Sequence, residues 1–238
     1  MACLMYARSK RMTIGRLEKW THDHESEIKY FKRLLRRSPK NYSLLNFLAN
    51  ALYKKAEYEE AIYCWKRLLR KQAVKDIHRI LSKIALAYES LGEIEFAFYY
   101  YGEALKEAPK TPSSLIGKYG QMAYLLENYD DALAAFKEMV EIDPDNDVAW
   151  HNLGLTYYNK GFIAEAIDCL KIAVSLNEKA SDSLYVLATI YAEEYQSDNA
   201  LEALEHALTL DPSLREQASK EESFSTLTNL ALFQYLIL

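Results

Sequence analysis

Residues 147–180 read DVAWHNLGLTYYNKGFIAEAIDCLKIAVSLNEKA. Trp150, Leu153, Gly154 and Tyr157 come first, followed by Ala166, Leu170 and Ala173. Apolar residues in each run fall at i, i+3, i+4 and i+7, which predicts a helix burying one broad face. The alternation of large and small residues predicts two antiparallel helices locked face to face. A unit this small cannot cover its own apolar face, so neighbours of the same phase are required.

The phase recurs on both sides. Residues 42–75 carry Leu48, Ala49, Ala61, Trp65 and Leu68, and residues 78–111 carry Leu81, Ile84, Ala85, Tyr88, Ala97, Tyr101, Ala104 and Pro109. Residues 113–146 carry Ile116, Tyr119, Gly120, Ala123, Ala132, Phe136, Met139 and Pro144; residues 181–214 carry Leu184, Leu187, Ala188, Tyr191, Ala200, Leu204, Ala207 and Pro212. Ala61, Ala97, Ala132, Ala166 and Ala200 therefore stand 36, 35, 34 and 34 residues apart. A methyl there, or the hydrogen of Gly120 or Gly154, lets paired helices approach while aromatic rings fill the wedge toward the next pair.

This spacing resembles the tetratricopeptide repeat, read as W-x2-L-G-x2-Y, then Ala, an aromatic or Leu, Ala, and often Pro. The resemblance, of a bacterial type with a C-terminal cap, implies an all-α, right-handed solenoid of antiparallel helix pairs. Five units are expected at 42–75, 78–111, 113–146, 147–180 and 181–214. Residues 1–41 are expected to form an extension and a degenerate first pair, in which Ile14, Gly15, Phe31, Leu34 and Pro39 keep the phase. Glu27 there takes the place of Ala166 and would crowd the closest helix contact. Residues 215–238 are expected to be a capping helix and an apolar tail that covers Leu232, Phe233, Leu236 and Leu238, either on its own chain or on another molecule.

Half of the 238 residues are hydrophobic, while Gly and Pro number 7 and 5, a balance that points to ordered helix rather than disorder. Cys3, Cys64 and Cys169 form no framework, which points to a reducing, cytoplasmic setting; Cys64 and Cys169 share a repeat position and read as small apolar fillers. No run reaches the length of a membrane span, and the opening MACLMYARSK is too short in apolar residues for a secretory signal. Met12 is a second plausible start.

No phosphate loop, nucleophile elbow, H-E-x-x-H or paired C-x-x-C occurs, so no enzyme activity, cofactor or metal is expected. His22-Asp23-His24-Glu25 reads as a solvated turn, because ligands two apart on a helix point in different directions. Gly117 and Gly120 read as packing glycines, and pairs such as Asp130 with Asp131 as a solvated helix face.

The net charge of -5 hides an asymmetry: residues 1–77 hold 18 Lys/Arg against 8 Asp/Glu, and residues 78–238 hold 11 against 26. KRLLRR at 32–37 and KRLLRK at 66–71 are offset by 34 residues, which puts Lys32, Arg33, Arg36, Arg37, Lys66, Arg67, Arg70 and Lys71 on neighbouring second helices as one basic surface. The first helices line the concave face of such a solenoid. Side chains there that packing does not claim are Asn46, Asn50, Tyr53, Ser82, Gln121, Tyr124, His151, Tyr158, Asn159 and Tyr185, amides and rings suited to an extended peptide. The family's carboxylate clamp does not transfer, since Ser114 stands where a basic residue is needed.

The sequence thus points to a non-enzymatic adaptor that binds a protein or peptide in the concave groove. Its rivals are an acidic or nucleic-acid partner on the basic surface, nucleic acid being disfavoured for want of a stacking platform, and a regulatory subunit of an enzyme. Self-association through the tail or the oppositely charged halves is a further expectation.

Overall fold

The computed structural model describes residues 24–70, 76–110 and 112–237. The expectations about Ile14, Gly15, His22, Asp23, Lys71 and Leu238 lie outside the described residues. The chain divides into two compact units, residues 1–111 and 112–238, the division falling beside the extra residue Pro112.

The first unit holds α1 (His24–Arg37), α2 (Tyr42–Lys54), α3 (Tyr58–Arg70), α4 (Ile77–Ser90) and α5 (Ile94–Glu107). In the second are α6 (Ser113–Leu125), α7 (Tyr129–Ile142), α8 (Asp147–Asn159), α9 (Ile163–Leu176), α10 (Ser181–Glu193) and α11 (Ser197–Leu210). It closes with α12 (Leu214–Ala218), a 3-10 turn (Glu222–Leu227) and α13 (Ala231–Ile237). No strand occurs among the described residues. Successive helices pack as pairs: α2 with α3, α4 with α5, α6 with α7, α8 with α9, and α10 with α11.

Local chemistry sets the helix starts. The Asn41, Asn128 and Asn146 side chains accept from the backbone N–H of Leu44, Asp131 and Ala149, satisfying one of the orphan donors of each first turn. Between paired helices, one residue in each turn takes the left-handed conformation: Ala56 (φ 63°), Gly92 (76°), Glu127 (57°), Gly161 (80°) and Tyr195 (59°). Only the two glycines adopt it without a side-chain penalty.

Ala61, Ala97, Ala132, Ala166 and Ala200 are completely buried, as close helix approach requires. A Cβ added to Gly154 would stand 2.8 Å from Leu170 Cγ, and one added to Gly120 2.9 Å from Ala135 Cβ. The first unit's core gathers on Trp65, Leu52, Leu68 and Ile84. The second unit's core includes Leu170, Ile190, Leu204 and Leu208, and extends to Phe224 and Leu227 of the 3-10 turn. Burial pushes the Cys64 and Cys169 thiols up to about 11, in keeping with inert fillers.

The tail folds back on its own chain. Phe224 packs edge-on against Tyr185 with ring centres 5.7 Å apart, Phe233 lies 5.9 Å from Phe224, and Arg215 Nε donates to Leu236 O (3.1 Å). Phe233 and Leu236 are buried, but Leu232 is 43% exposed. α13 is a single short helix, so it buries one stripe on its own chain and leaves Leu232 outside that contact. Glu27 avoids the crowding foreseen for it by turning back toward His24 Nδ1 (3.4 Å) on its own helix.

Candidate partner-binding surfaces

Six of the ten residues expected on the first-helix face are tied to a neighbouring pair. In the first unit, Lys83 Nζ on α4 donates to Asn50 Oδ1 on α2 (2.8 Å) and lies 5.9 Å from the Trp65 ring centre. Burial, and secondarily the nearby Arg79 charge, holds the Lys83 ammonium below its usual pKa. Tyr53 Oη shares a hydrogen bond with Ser90 Oγ (3.3 Å) and its ring tilts against Tyr58 and Trp65. Asn46 Oδ1 accepts from Trp65 Nε1 (3.2 Å) within its own pair, and Ser82 Oγ donates back to His78 O (2.8 Å).

The second unit repeats the pattern. Asn159 Nδ2 donates to Tyr124 Oη (2.8 Å) and to Leu155 O (2.9 Å). Tyr158 Oη donates to Glu193 Oε2 (2.6 Å), whose other oxygen accepts from Ser223 Oγ (2.7 Å). Burial, with that bond to Glu193 next, raises the Tyr158 phenol. His151 Nδ1 lies 2.8 Å from Ser183 Oγ, and burial lowers its pKa against the weaker upward pull of Asp182 and Asp147. Gln121 is exposed, its Oε1 3.5 Å from Lys118 Nζ on the same helix. Tyr185 is 6% exposed beneath Phe224, so it belongs to the core rather than to an open face, and its hydroxyl has no partner among the described residues.

These bonds join residues 32 to 37 apart, about one repeat. Lys83, Ser90, Ser183 and Glu193, which the sequence reading missed, could have been found by carrying each offset into the following unit. Each bond occupies part of its group's capacity: among the described residues the Asn50 Nδ2, the Asn159 Oδ1 and the Tyr124 O–H take no further hydrogen bond. The internal bonds hold the rotamers, which lowers the ordering cost of binding.

The basic second-helix surface is redistributed. Lys32 pairs with Glu60 (3.0 Å), and Lys66 Nζ donates to Tyr88 Oη (2.7 Å) while lying 5.1 and 5.2 Å from the Tyr88 and Tyr100 ring centres. Arg67 reaches Pro39 O at 3.4 Å, and Arg33, Arg36, Arg37 and Arg70 are exposed. Arg36, Arg37, Arg67 and Arg70 lie in the last turns of α1 and α3, where cations complement the helix dipole. Of His22-Asp23-His24-Glu25, read as a solvated turn, His24 and Glu25 instead open α1, where His24 faces Glu27 and Glu25 pairs with Lys29 (2.8 Å). Among the described residues no helix is long and apolar enough to cross a membrane.

Comparison with known proteins places the fold. Two tetratricopeptide-repeat family models match residues 120–161 and 151–214, and a protein prenyltransferase alpha subunit repeat model matches residues 24–55, the span of α1 and α2. The BBSome complex member BBS4 of Bos taurus is 25% identical over 162 residues, covering 68% of this chain and 31% of its own. The TPR repeat-containing protein YpiA of Bacillus subtilis is 24% identical over 198 residues, covering 80% and 46%. The chain thus spans a third to a half of the length of these relatives. The crystal structure of YrrB, a TPR protein with an unusual peptide-binding site, superposes with a TM-score of 0.67 over 80% of this chain and 98% of that one, at 20% identity. MamA from Desulfovibrio magneticus superposes equally well over 73% of this chain and 97% of its own, again at 20% identity. The helix pairs, their buried small residues and these matches agree: the chain has the all-α fold of tetratricopeptide-repeat structures, and residues 120–214 are tetratricopeptide repeats.

Proposed function

We propose that the chain is a non-catalytic interaction scaffold that binds a protein or peptide segment on its first-helix faces. The observation that carries this reading is the set of half-used polar groups on α6 and α8. Tyr124, Asn159 and Tyr158 are partly exposed, fixed by hydrogen bonds at 2.6–2.8 Å, and still able to donate or accept. An extended backbone presents donors and acceptors that such groups can meet, and tyrosine adds contact area at small entropic cost. In the first unit, Asn50, Tyr53 and Lys83 offer the same chemistry with one cation. The similarity to a peptide-binding TPR protein and to a member of a protein complex supports the same class of partner.

Photocrosslinking tests the reading. A benzoylphenylalanine at Gln121 or Tyr124 should join to a polypeptide on irradiation in lysate, whereas one at the exposed turn residue Tyr195 should not. Changing Tyr124 and Tyr158 to Ala should weaken the captured partner by about 1–4 kcal/mol, as for truncated interface anchors. Adducts formed equally from Tyr195, or affinity unchanged in the double variant, would remove the site from the first helices.

A further inference from the structure

The first unit carries a second surface that the first-helix reading leaves unused. On α3, Tyr63, Arg67 and Arg70 fall at i, i+4 and i+7, one stripe of the helix, and all three are exposed. Arg33 and Arg36 occupy the equivalent stripe of α1, 34 residues earlier than Arg67 and Arg70. The Lys32–Glu60 pair joins the two helices, and Arg67 reaches Pro39 O in the turn that follows α1. On the far side of α3, Lys66 reaches the Tyr100 ring of α5, which presents Tyr99 (57% exposed) at the place that Tyr63 (66% exposed) holds on α3, 36 residues earlier. Lys29, Lys32 and Lys66 are spent internally, while Arg33, Arg36 and Arg70 are exposed and Arg67 spends one donor on Pro39 O, leaving planar guanidinium groups able to meet a carboxylate at two points.

Helix-end stabilisation accounts for Arg36, Arg67 and Arg70, but not for Arg33 or for the exposure of two large rings at the same offset of α3 and α5. Arginine and tyrosine are the residue types that anchor interfaces, and a strongly positive patch selects a negative partner. Phosphate chains fit less well, because they carry a charge at every unit and Glu95 and Glu103 flank Tyr99 on α5, whereas a peptide can set uncharged side chains there. We propose that the outward face of α1, α3 and α5 binds an acidic protein segment, its carboxylates on Arg33, Arg36, Arg67 and Arg70 and its apolar side chains over Tyr63 and Tyr99.

The test uses the full chain and a fluorescent peptide in which glutamates alternate with leucine and tyrosine, followed by anisotropy at rising salt. Binding is expected to weaken with salt as screening contracts to about 8 Å. Arg33→Glu with Arg67→Glu should reduce affinity at least about tenfold, and Tyr63→Ser with Tyr99→Ser several-fold, both with an unchanged helical spectrum. The Tyr124→Ala, Tyr158→Ala variant should bind this peptide like the parent, which keeps the result separate from the first-helix reading. Absent binding, or binding indifferent to the arginine reversals, overturns the proposal. So does an all-glutamate peptide that binds equally well, which would mean charge alone, or single-stranded oligouridylate that binds more tightly than the peptide, which would make the face a nucleic-acid surface.

Discussion

At one outward offset of the second helices the first unit shows Tyr63 and Tyr99, and the second shows Ala134, Asp168 and Glu202; four residues further on, the first unit shows Arg33, Arg67 and Glu103, and the second Glu138, Ile172 and His206. At the inward offset both units show the same thing, a completely buried alanine: Ala61 and Ala97 in one, Ala132, Ala166 and Ala200 in the other. Helix pairing constrains the inward positions because a larger side chain has nowhere to go. It leaves the outward ones free, since solvated side chains of either sign cost little. Two units of one architecture can therefore present different surfaces, and the difference between them is chemical rather than structural.

The sharpest way to break this comparison is to remove a large core group from one unit and watch the other. Trp65→Ala in the first unit and Phe224→Ala in the second should each cost about 3–5 kcal/mol. Because repeats depend mainly on their neighbours, hydrogen exchange should accelerate within the altered unit far more than in the other. Equal acceleration in both would make the two units one cooperative body.

A smaller effect tests the close approach itself. Gly154→Ala puts a methyl 2.8 Å from Leu170 Cγ and should cost about 1–3 kcal/mol by overpacking, measured by urea denaturation. The turn residues come next. Ala56→Gly, Glu127→Gly and Tyr195→Gly should each stabilise by about 1 kcal/mol, relieving a left-handed conformation that disfavours a Cβ. Gly92→Ala and Gly161→Ala should destabilise by a similar amount, although both sites have open space for the methyl.

The weakest prediction separates the units by pH. His151 in the second unit has its pKa lowered by burial, whereas Asn46 and Ser82, at the corresponding places in the first, do not titrate. A folded-state pKa below the unfolded value means that the unfolded chain takes up the proton first. The stabilisation is complete above the unfolded pKa of about 6.5 and is lost as pH falls through the lower folded value. His151→Gln should flatten that acid limb in thermal melts of the second unit and leave the first unit's profile unchanged.

The helix pairs, the buried alanines and the repeat family were legible in sequence because each depends on a short-range pattern that recurs about every 34 residues. Asn50, Tyr124 and Tyr158 were legible as unclaimed by their own pair, yet their partners Lys83, Asn159 and Glu193 sit one pair away, which no single-unit pattern contains. The left-handed turn residues escaped notice for a different reason. Ala56, Glu127 and Tyr195 are not turn-formers, and their conformation is imposed by the helices on either side.

What the sequence determined alone is the all-α architecture and the opposite charge of its two ends, since periodicity and composition are properties of the chain before it folds. What the tertiary structure decided is which polar groups remain available. Lys66 and Lys32 read as members of a basic surface but are consumed by aromatic rings and by Glu60, and Tyr185 reads as a groove residue but is covered by Phe224. The physical reason is that a side chain's freedom depends on what a neighbouring helix or the returning tail brings within about 3–6 Å of it, a distance set by packing and not by the local sequence.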